Sequence, residues 1–153
     1  MIIKIDDIPE QGMNVEGEEP AEVLAMEASA EFHPDGPLSY KLYAQMVDDG
    51  LLVRGSLSAP IKGCCARCTQ MFSTTVTDSA FLRDYFDLQG AEEVDVTDDL
   101  REAIILSFPR FPLCDEACKG LCSQCGKDLN KGPCGCSGGK EGGAWDALNS
   151  LSL

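Results

Sequence analysis

The chain has 153 residues, 44% of them apolar, and a formal net charge of −14. The apolar share supports a core and excludes the disordered class, and the charge argues against a nonspecific nucleic-acid binder, which carries a basic footprint. No apolar run approaches the ~18 residues of a membrane span, and the opening MIIKIDDIPE carries acid where a secretory leader carries base.

Residues 2–8, IIKIDDI, alternate well enough to predict an opening strand. The acidic stretch from Pro9 to Pro20, with its glycines, reads as a loop, and Val23 to Phe32 reads as a half-buried strand. HPDGP at 33–37 is a turn by composition. Leu38, Tyr40, Leu42, Ala44 and Met46 then alternate in a strand, Asp48-Asp49-Gly50 supplies a hairpin turn, and a further strand runs from Leu51 to near Pro60. After Gly63-Cys64-Cys65-Ala66-Arg67-Cys68, residues 69–77 predict another strand. Phe81, Leu82, Tyr85 and Phe86 read as a helical turn or aromatic anchor.

Residues 89–93 read as a loop, with a short strand over Glu93 to Val96. Thr97-Asp98-Asp99 marks a helix start, with a side-chain oxygen at the cap and acids at the positive end of the dipole. The helix is expected over 98–108, with Leu100, Ala103, Ile104 and Ser107 on one stripe and Pro109 as its stop. SGGKEGG at 137–143 reads as a link and AWDALNSL at 144–151 as a short amphipathic helix. These elements predict an α+β fold, an antiparallel β-rich body with one main helix and a C-terminal cysteine-rich zinc knuckle. Residues 1–113 would form the body and 114–153 the knuckle segment, packed together as one domain.

Six of the nine cysteines fall between Cys114 and Cys136, spaced C-x3-C-x3-C-x2-C-x8-C-x-C. The sharpest part is Cys122-Ser-Gln-Cys125-Gly126, where two thiolates converge on one ion and Gly126 supplies the positive φ of a tight turn. In a reducing cytosol, where the protein is expected, such density argues for metal and not for disulfides. Cys64 adjoins Cys65 and would be strained as a co-ligand, which leaves eight thiols for two closed tetrahedral sites. One partition is Cys122, Cys125, Cys134 and Cys136 at one zinc ion, with Cys65, Cys68, Cys114 and Cys118 at another. A single zinc in the C-terminal segment, held by Cys122 and Cys125 plus two of its other cysteines, is the alternative. Four thiolates also suffice for an iron–sulfur cluster. A thiol redox pair at Cys65 and Cys68, and a zinc carrier or sensor, are the rival functions; redox work would require a lowered thiol pKa.

Charge is unevenly placed. Residues 1–100 hold 20 acids and 6 Lys/Arg, whereas 101–140 hold 4 acids and 6 bases. Lys119, Lys127 and Lys131 either offset the thiolates or meet a partner, and Arg67 is open to a bidentate carboxylate or phosphate contact. Any RNA contact is expected within 101–140, while the acidic body suits a basic protein. No nucleophile elbow, phosphate loop or metalloprotease helix is present in the sequence. The single histidine, His33, is assigned no catalytic role, so no enzyme is expected.

The order of these motifs resembles a known family. Cys65-Ala66-Arg67-Cys68 follows a β-rich half, and an apolar helix ends in Ile105-Leu106-Ser107-Phe108-Pro109. Cys118-Lys119-Gly120-Leu121-Cys122, Cys125-Gly126, Asp128-Leu129-Asn130, Cys134-x-Cys136 and Ala144-Trp145-Asp146-Ala147-Leu148 complete the pattern. Together they resemble the YceD family of large-ribosomal-RNA-subunit accumulation proteins. The resemblance implies a non-enzymatic, cytoplasmic factor in ribosome biogenesis that works on large-subunit ribosomal RNA, with a ribosomal protein or pre-ribosomal particle as partner. It also implies that the knuckle stabilises or docks.

Overall fold

The structure, a computed structural model, describes residues 1–26, 32–88 and 90–136. Its strands are β1 (Ile2–Lys4), β2 (Met13–Glu19), β3 (Phe32–Pro34), β4 (Leu38–Val47), β5 (Gly50–Cys64), β6 (Met71–Tyr85) and β7 (Glu93–Asp95), with one helix, α1 (Thr97–Leu106). Short 3-10 turns cover Ile5–Asp7, Ala21–Leu24 and Leu129–Lys131. The predicted fold class is the observed one: a mainly antiparallel sheet, one helix, and a C-terminal cysteine cluster able to hold metal.

β5 is the spine. One of its edges pairs with β6 along Leu51–Cys64, and the other takes β4 over Gly50–Ser58 and then β3 over Ile61–Gly63. β2 adds to the outer edge of β4, and every pairing is antiparallel. β1 and β7 form a separate two-stranded ribbon. The register of β5 with β6 shifts between Gly55 and Leu57, a bulge that bends the spine. Gly55 is required there, because a Cβ would lie 2.1 Å from the Lys41 carbonyl oxygen.

The alternation of β4 and β5 buries Leu38, Leu42, Ala44, Leu51, Val53, Leu57, Ala59 and Ile61 on one face. α1 lays Leu100, Ala103 and Ile104 on that face, each buried. Burying a side chain of this size contributes roughly 1.5–3 kcal/mol. At the far end Phe32 meets Phe108 edge-on, with ring centroids 5.1 Å apart.

The β4–β5 hairpin turns at Asp48 and Asp49 as the sequence predicts, with Asp48 in the left-handed region at φ 53°. Several local expectations are corrected. The opening strand stops at Lys4, because Ile5–Asp7 turn into a 3-10 segment whose closing bond runs from Ile8 N–H to the Ile5 carbonyl. The stretch between Pro9 and Pro20 holds β2, recruited by the free edge of β4 despite its weak local propensity. Val23 and Leu24 lie in a 3-10 turn and not a strand, Ala25 and Met26 follow it outside any strand, and only Phe32 is extended, at the start of β3; residues 27–31 of that predicted strand fall outside the described residues. His33 and Pro34 belong to β3, which leaves only residues 35–37 as the turn. The strand after Leu51 runs on past Pro60 to Cys64.

The aromatic segment at 81–85 is a continuation of β6, not a helical turn. Phe81 pairs with Gly55 and Tyr85 with Leu51, and the length of β5 carries the pairing through. Tyr85 does anchor: its hydroxyl donates to Asp99 Oδ2 at 2.6 Å, tying β6 to α1. Burial, and then the Asp99 carboxylate it bonds, raise the Tyr85 phenol above its ordinary range. The helix begins one residue earlier than expected and ends two residues earlier, at Leu106, and its cap is supplied from outside. Val96 at the N-cap makes no side-chain bond, while Asp95 Oδ1 accepts the Thr97 N–H at 2.9 Å. The predicted link at 137–143 and helix at 144–151 lie outside the described residues. Among the described residues no helix is long and apolar enough to cross a membrane.

Candidate metal centre

The hairpin joining β5 to β6 ends in a tight knuckle. Cys65 N–H donates to the Gln70 carbonyl and Thr69 N–H to the Cys65 carbonyl, both at 2.9 Å, and Thr69 takes φ 59° to close the loop. Cys65 and Cys68 thereby project from one turn. The chain leaving α1 docks beside it, with Ala66 N–H bonded to the Pro112 carbonyl at 2.8 Å. A further turn, in which Asp115 accepts from Ala117 N–H and Cys118 N–H, brings in Cys114 and Cys118.

These four sulfurs lie within 4.8 Å of one another. Cys65 Sγ is 3.8 Å from Cys118 Sγ, and Cys68 Sγ is 3.7 Å from Cys114 Sγ. All four cysteines are free, and the separations far exceed the ~2.05 Å of a disulfide. Four sulfurs each about 2.3 Å from a tetrahedral ion stand about 3.8 Å apart, so the spacing fits a tetrathiolate centre. Cys65, Cys68 and Cys118 are buried with Phe72 and Leu113 against them, while Cys114 closes the outer side.

Cys122, Cys125, Cys134 and Cys136 form a second group of four, again within 4.8 Å. Gly126 N–H bonds the Cys122 carbonyl at 2.9 Å, and Cys122 N–H bonds the Lys127 carbonyl at 2.8 Å. Gly126 holds φ 71°, the left-handed turn anticipated for it. This group is half-buried to exposed, in contrast with the first. Cys64 joins neither; its thiol donates to the Thr69 carbonyl at 3.2 Å.

Thiol ionisation within each group is uneven. The Cys114 amide, followed by those of Cys68 and Arg67, lowers the Cys65 thiol to about 6 against the burial that opposes it. The Cys125 and Gln124 amides lower Cys122 to about 6. Burial and then the facing sulfurs push Cys114 up to about 12, and Cys125 foremost pushes Cys136 up to about 12. At Cys68 the Gln70 amide lowers the thiol, but burial and the Cys65 and Cys118 sulfurs outweigh it and raise it. Four thiols facing one another without a cation cannot all ionise, and a divalent ion removes that conflict. A redox thiol needs access as well as a low pKa; Cys65 is 0% exposed.

The basic residues singled out in the sequence are largely engaged within the chain. Arg67 directs its guanidinium not at a carboxylate or phosphate but at two backbone carbonyls, those of Glu116 at 3.1 Å and Cys118 at 3.0 Å. Lys127 Nζ donates to the Pro133 carbonyl at 2.8 Å, beside Cys134. Lys131 lies 3.8 Å from Asp128 Oδ2. Lys119 is exposed, and its backbone N–H donates to Asn130 Oδ1 at 2.7 Å. Asn130 also donates from Nδ2 to Cys118 Sγ at 3.3 Å. Asp128 and Asn130 were legible in the sequence only as an Asx pair two residues apart, a recurrent loop-closing device.

The sequence model described as "Large ribosomal RNA subunit accumulation protein YceD" matches residues 78–152. An uncharacterized protein of Mycobacterium tuberculosis is 32% identical over 110 residues, covering 63% of this chain and 53% of the relative. One of Mycobacterium leprae is 30% identical over 107 residues, covering 61% and 49%. The Arabidopsis thaliana protein "Large ribosomal RNA subunit accumulation protein YCED homolog 1, chloroplastic" is 33% identical over 60 residues, 39% of this chain and 19% of the relative. The chain thus spans about half the length of the mycobacterial relatives it matches. No solved structure matches it. The family model runs through the second half of β6, α1 and the whole of Cys114–Cys136, and over these residues the chain carries the sequence pattern of the YceD family.

Proposed function

We propose that the protein is a non-enzymatic factor in ribosome biogenesis, supporting accumulation of large-subunit ribosomal RNA, and that it is held in shape by zinc. The observation that carries the first part is the match of residues 78–152 to a family named for that role. The second part is supported by the two groups of four free cysteines at tetrathiolate spacing. Cys65, Cys68, Cys114 and Cys118 would hold one ion; Cys122, Cys125, Cys134 and Cys136 would hold the other. Four protein thiolates leave no open coordination position, which favours a structural role over a hydrolytic one. Residues 1–113 and 114–153 would act together as one domain, because the first centre draws two ligands from each.

The acidic body suits a basic ribosomal protein or a pre-ribosomal particle, and residues 101–140 are where RNA contact would fall. Lys119 is the best placed of the four basic candidates, since Arg67, Lys127 and Lys131 already have partners within the chain. A cytoplasmic setting accords with this reading. Depletion of the protein should lower mature large-subunit ribosomal RNA, and the protein should sediment with precursor particles in a sucrose gradient. Unchanged large-subunit RNA together with absence from those fractions would overturn the proposal.

A further inference from the structure

One side chain ties the loop of the second cysteine group to the first group. Asn130 sits on the 3-10 turn Leu129–Lys131, inside the loop between Cys125 and Cys134 of the second group, yet its amide points at the first. Nδ2 donates to Cys118 Sγ at 3.3 Å and to Asp128 Oδ1 at 2.9 Å, while Oδ1 accepts the Lys119 N–H at 2.7 Å. The chemistry of these partners fixes the orientation of the amide, because a carboxylate demands a donor and a backbone N–H demands an acceptor. Asn130 therefore grips Cys118 at two points, its sulfur and the backbone that follows it. Asp128 Oδ1 also receives the Asn130 backbone N–H at 2.9 Å, so the gripping residue is itself locked.

The loop that carries Asn130 owes its shape to the second group. Cys122 bonds Lys127 and Gly126 through the backbone, and Lys127 Nζ reaches across to Pro133. Leu129 N–H then returns to the Gly120 carbonyl at 2.9 Å, and Leu121 N–H to the Arg67 carbonyl at 3.1 Å, which is the turn bearing Cys65 and Cys68.

Resting on the reading of both groups as metal centres, we propose that they are a coupled pair. Asn130 is the positioning residue through which the exposed Cys122/Cys125/Cys134/Cys136 centre governs metal retention at the buried Cys65/Cys68/Cys114/Cys118 centre. Loss of metal from the outer centre frees loop 126–133, withdraws the N–H donor from Cys118 and loosens the inner centre. A hydrogen bond to a coordinating group typically matters by ~10–100-fold in metal affinity, and coupling between sites typically spans ~5–150-fold.

The test is a double-mutant cycle on the full chain loaded with cobalt(II), with inner-centre release to a chromophoric chelator as readout. Its members are wild type, Asn130→Asp/Asp128→Asn, Cys122→Ser/Cys125→Ser, and the combination. Asp keeps the acceptor for Lys119 N–H but removes the donors to sulfur and to Asp128 Oδ1. It is therefore made together with Asp128→Asn, which relieves the facing carboxylates and separates the sulfur contact from loop geometry. We expect Asn130→Asp/Asp128→Asn and the double serine variant each to speed inner-centre release by about tenfold or more. The combination should release no faster than the more severe of its two components. The sulfur-to-cobalt charge-transfer band should also move to lower energy in Asn130→Asp/Asp128→Asn, which a purely structural role would not produce. Two equivalents of cobalt with additive effects, or an unshifted band, would overturn the coupling and leave the metal reading standing. Failure of the wild-type chain to bind cobalt or zinc would overturn both. Asn130→Ala serves as a second variant: wild-type release rates there would overturn the proposal whatever the aspartate does.

Discussion

Cys64 and Cys65 are neighbours in sequence, yet the structure gives them opposite surroundings. Cys65 is 0% exposed and faces three other sulfurs, whereas Cys64 bonds a carbonyl and faces none. Metal content by elemental analysis should therefore fall by one equivalent per chain in Cys65→Ser and stay unchanged in Cys64→Ser. At the second knuckle, Gly126 has open space around its Cα and only its positive φ forbids a side chain. Gly126→Ala is expected to cost about 1 kcal/mol, visible as a small fall in the denaturant midpoint, with metal content retained. The C-x-x-C-G run made that φ legible in advance. Nothing in the local sequence around Arg67 foretold that its guanidinium would hold the Glu116 and Cys118 carbonyls, because those partners lie about 50 positions away.

Between elements, the junction of β7 with α1 is held by Asp95. Its carboxylate accepts from the Thr97 side chain and backbone, and these bonds hold the Asp95 carboxyl below its ordinary value. Asp95→Ala should cost about 1 kcal/mol, the usual worth of a capping side chain. The sign of its pH dependence follows from the depressed value. The contribution of Asp95 is fully present above the unfolded carboxylate pKa near ~3.9 and is lost as pH falls through the lower folded value. The difference in thermal midpoint between wild type and Asp95→Ala should thus hold at pH 7 and shrink below about pH 4. The expected cap at Thr97-Asp98-Asp99 lay within two residues of the real one, because acids near a helix start are recognisable. Which acid faces the free N–H groups depends on how β7 enters, and β7 is placed by its pairing with β1.

β2 and the end of β6 illustrate the same limit at larger range. Residues 13–19 alternate weakly and carry three glutamates, so local propensity points to a loop. They become a strand because β4 presents seven residues for pairing, and backbone hydrogen bonds outweigh propensity. Residues 81–85 extend as strand because β5 continues beneath them. Edge recruitment of this kind is set by a partner remote in sequence.

Across the whole molecule, the apolar core and the buried cysteine group are separate clusters. The sheet and α1 bury their own apolar face, so the β body does not depend on metal for its core. A strong chelator should release metal in two phases, with the exposed Cys122/Cys125/Cys134/Cys136 centre emptied first. Far-ultraviolet circular dichroism should retain its strand signal through both phases; collapse of that signal with the first equivalent would contradict the separation. Leu57→Ala, by contrast, removes a fully buried side chain from the spine. It is expected to cost about 2–5 kcal/mol, with metal content unchanged.

The sequence by itself determined the antiparallel body, the hairpin at Asp48-Asp49 and the main helix, and it offered two fours of cysteine as one of two partitions, between which only the structure chooses. Those features rest on short-range periodicity, turn chemistry and ligand counting, all of which are local or additive. Only the tertiary structure decided that the β5–β6 turn and the segment after α1 meet sulfur to sulfur. It also decided that Asn130 reaches from one group of cysteines to the other. Contacts across tens of residues depend on how far β5 extends and where the chain returns from α1, and no window of sequence contains both.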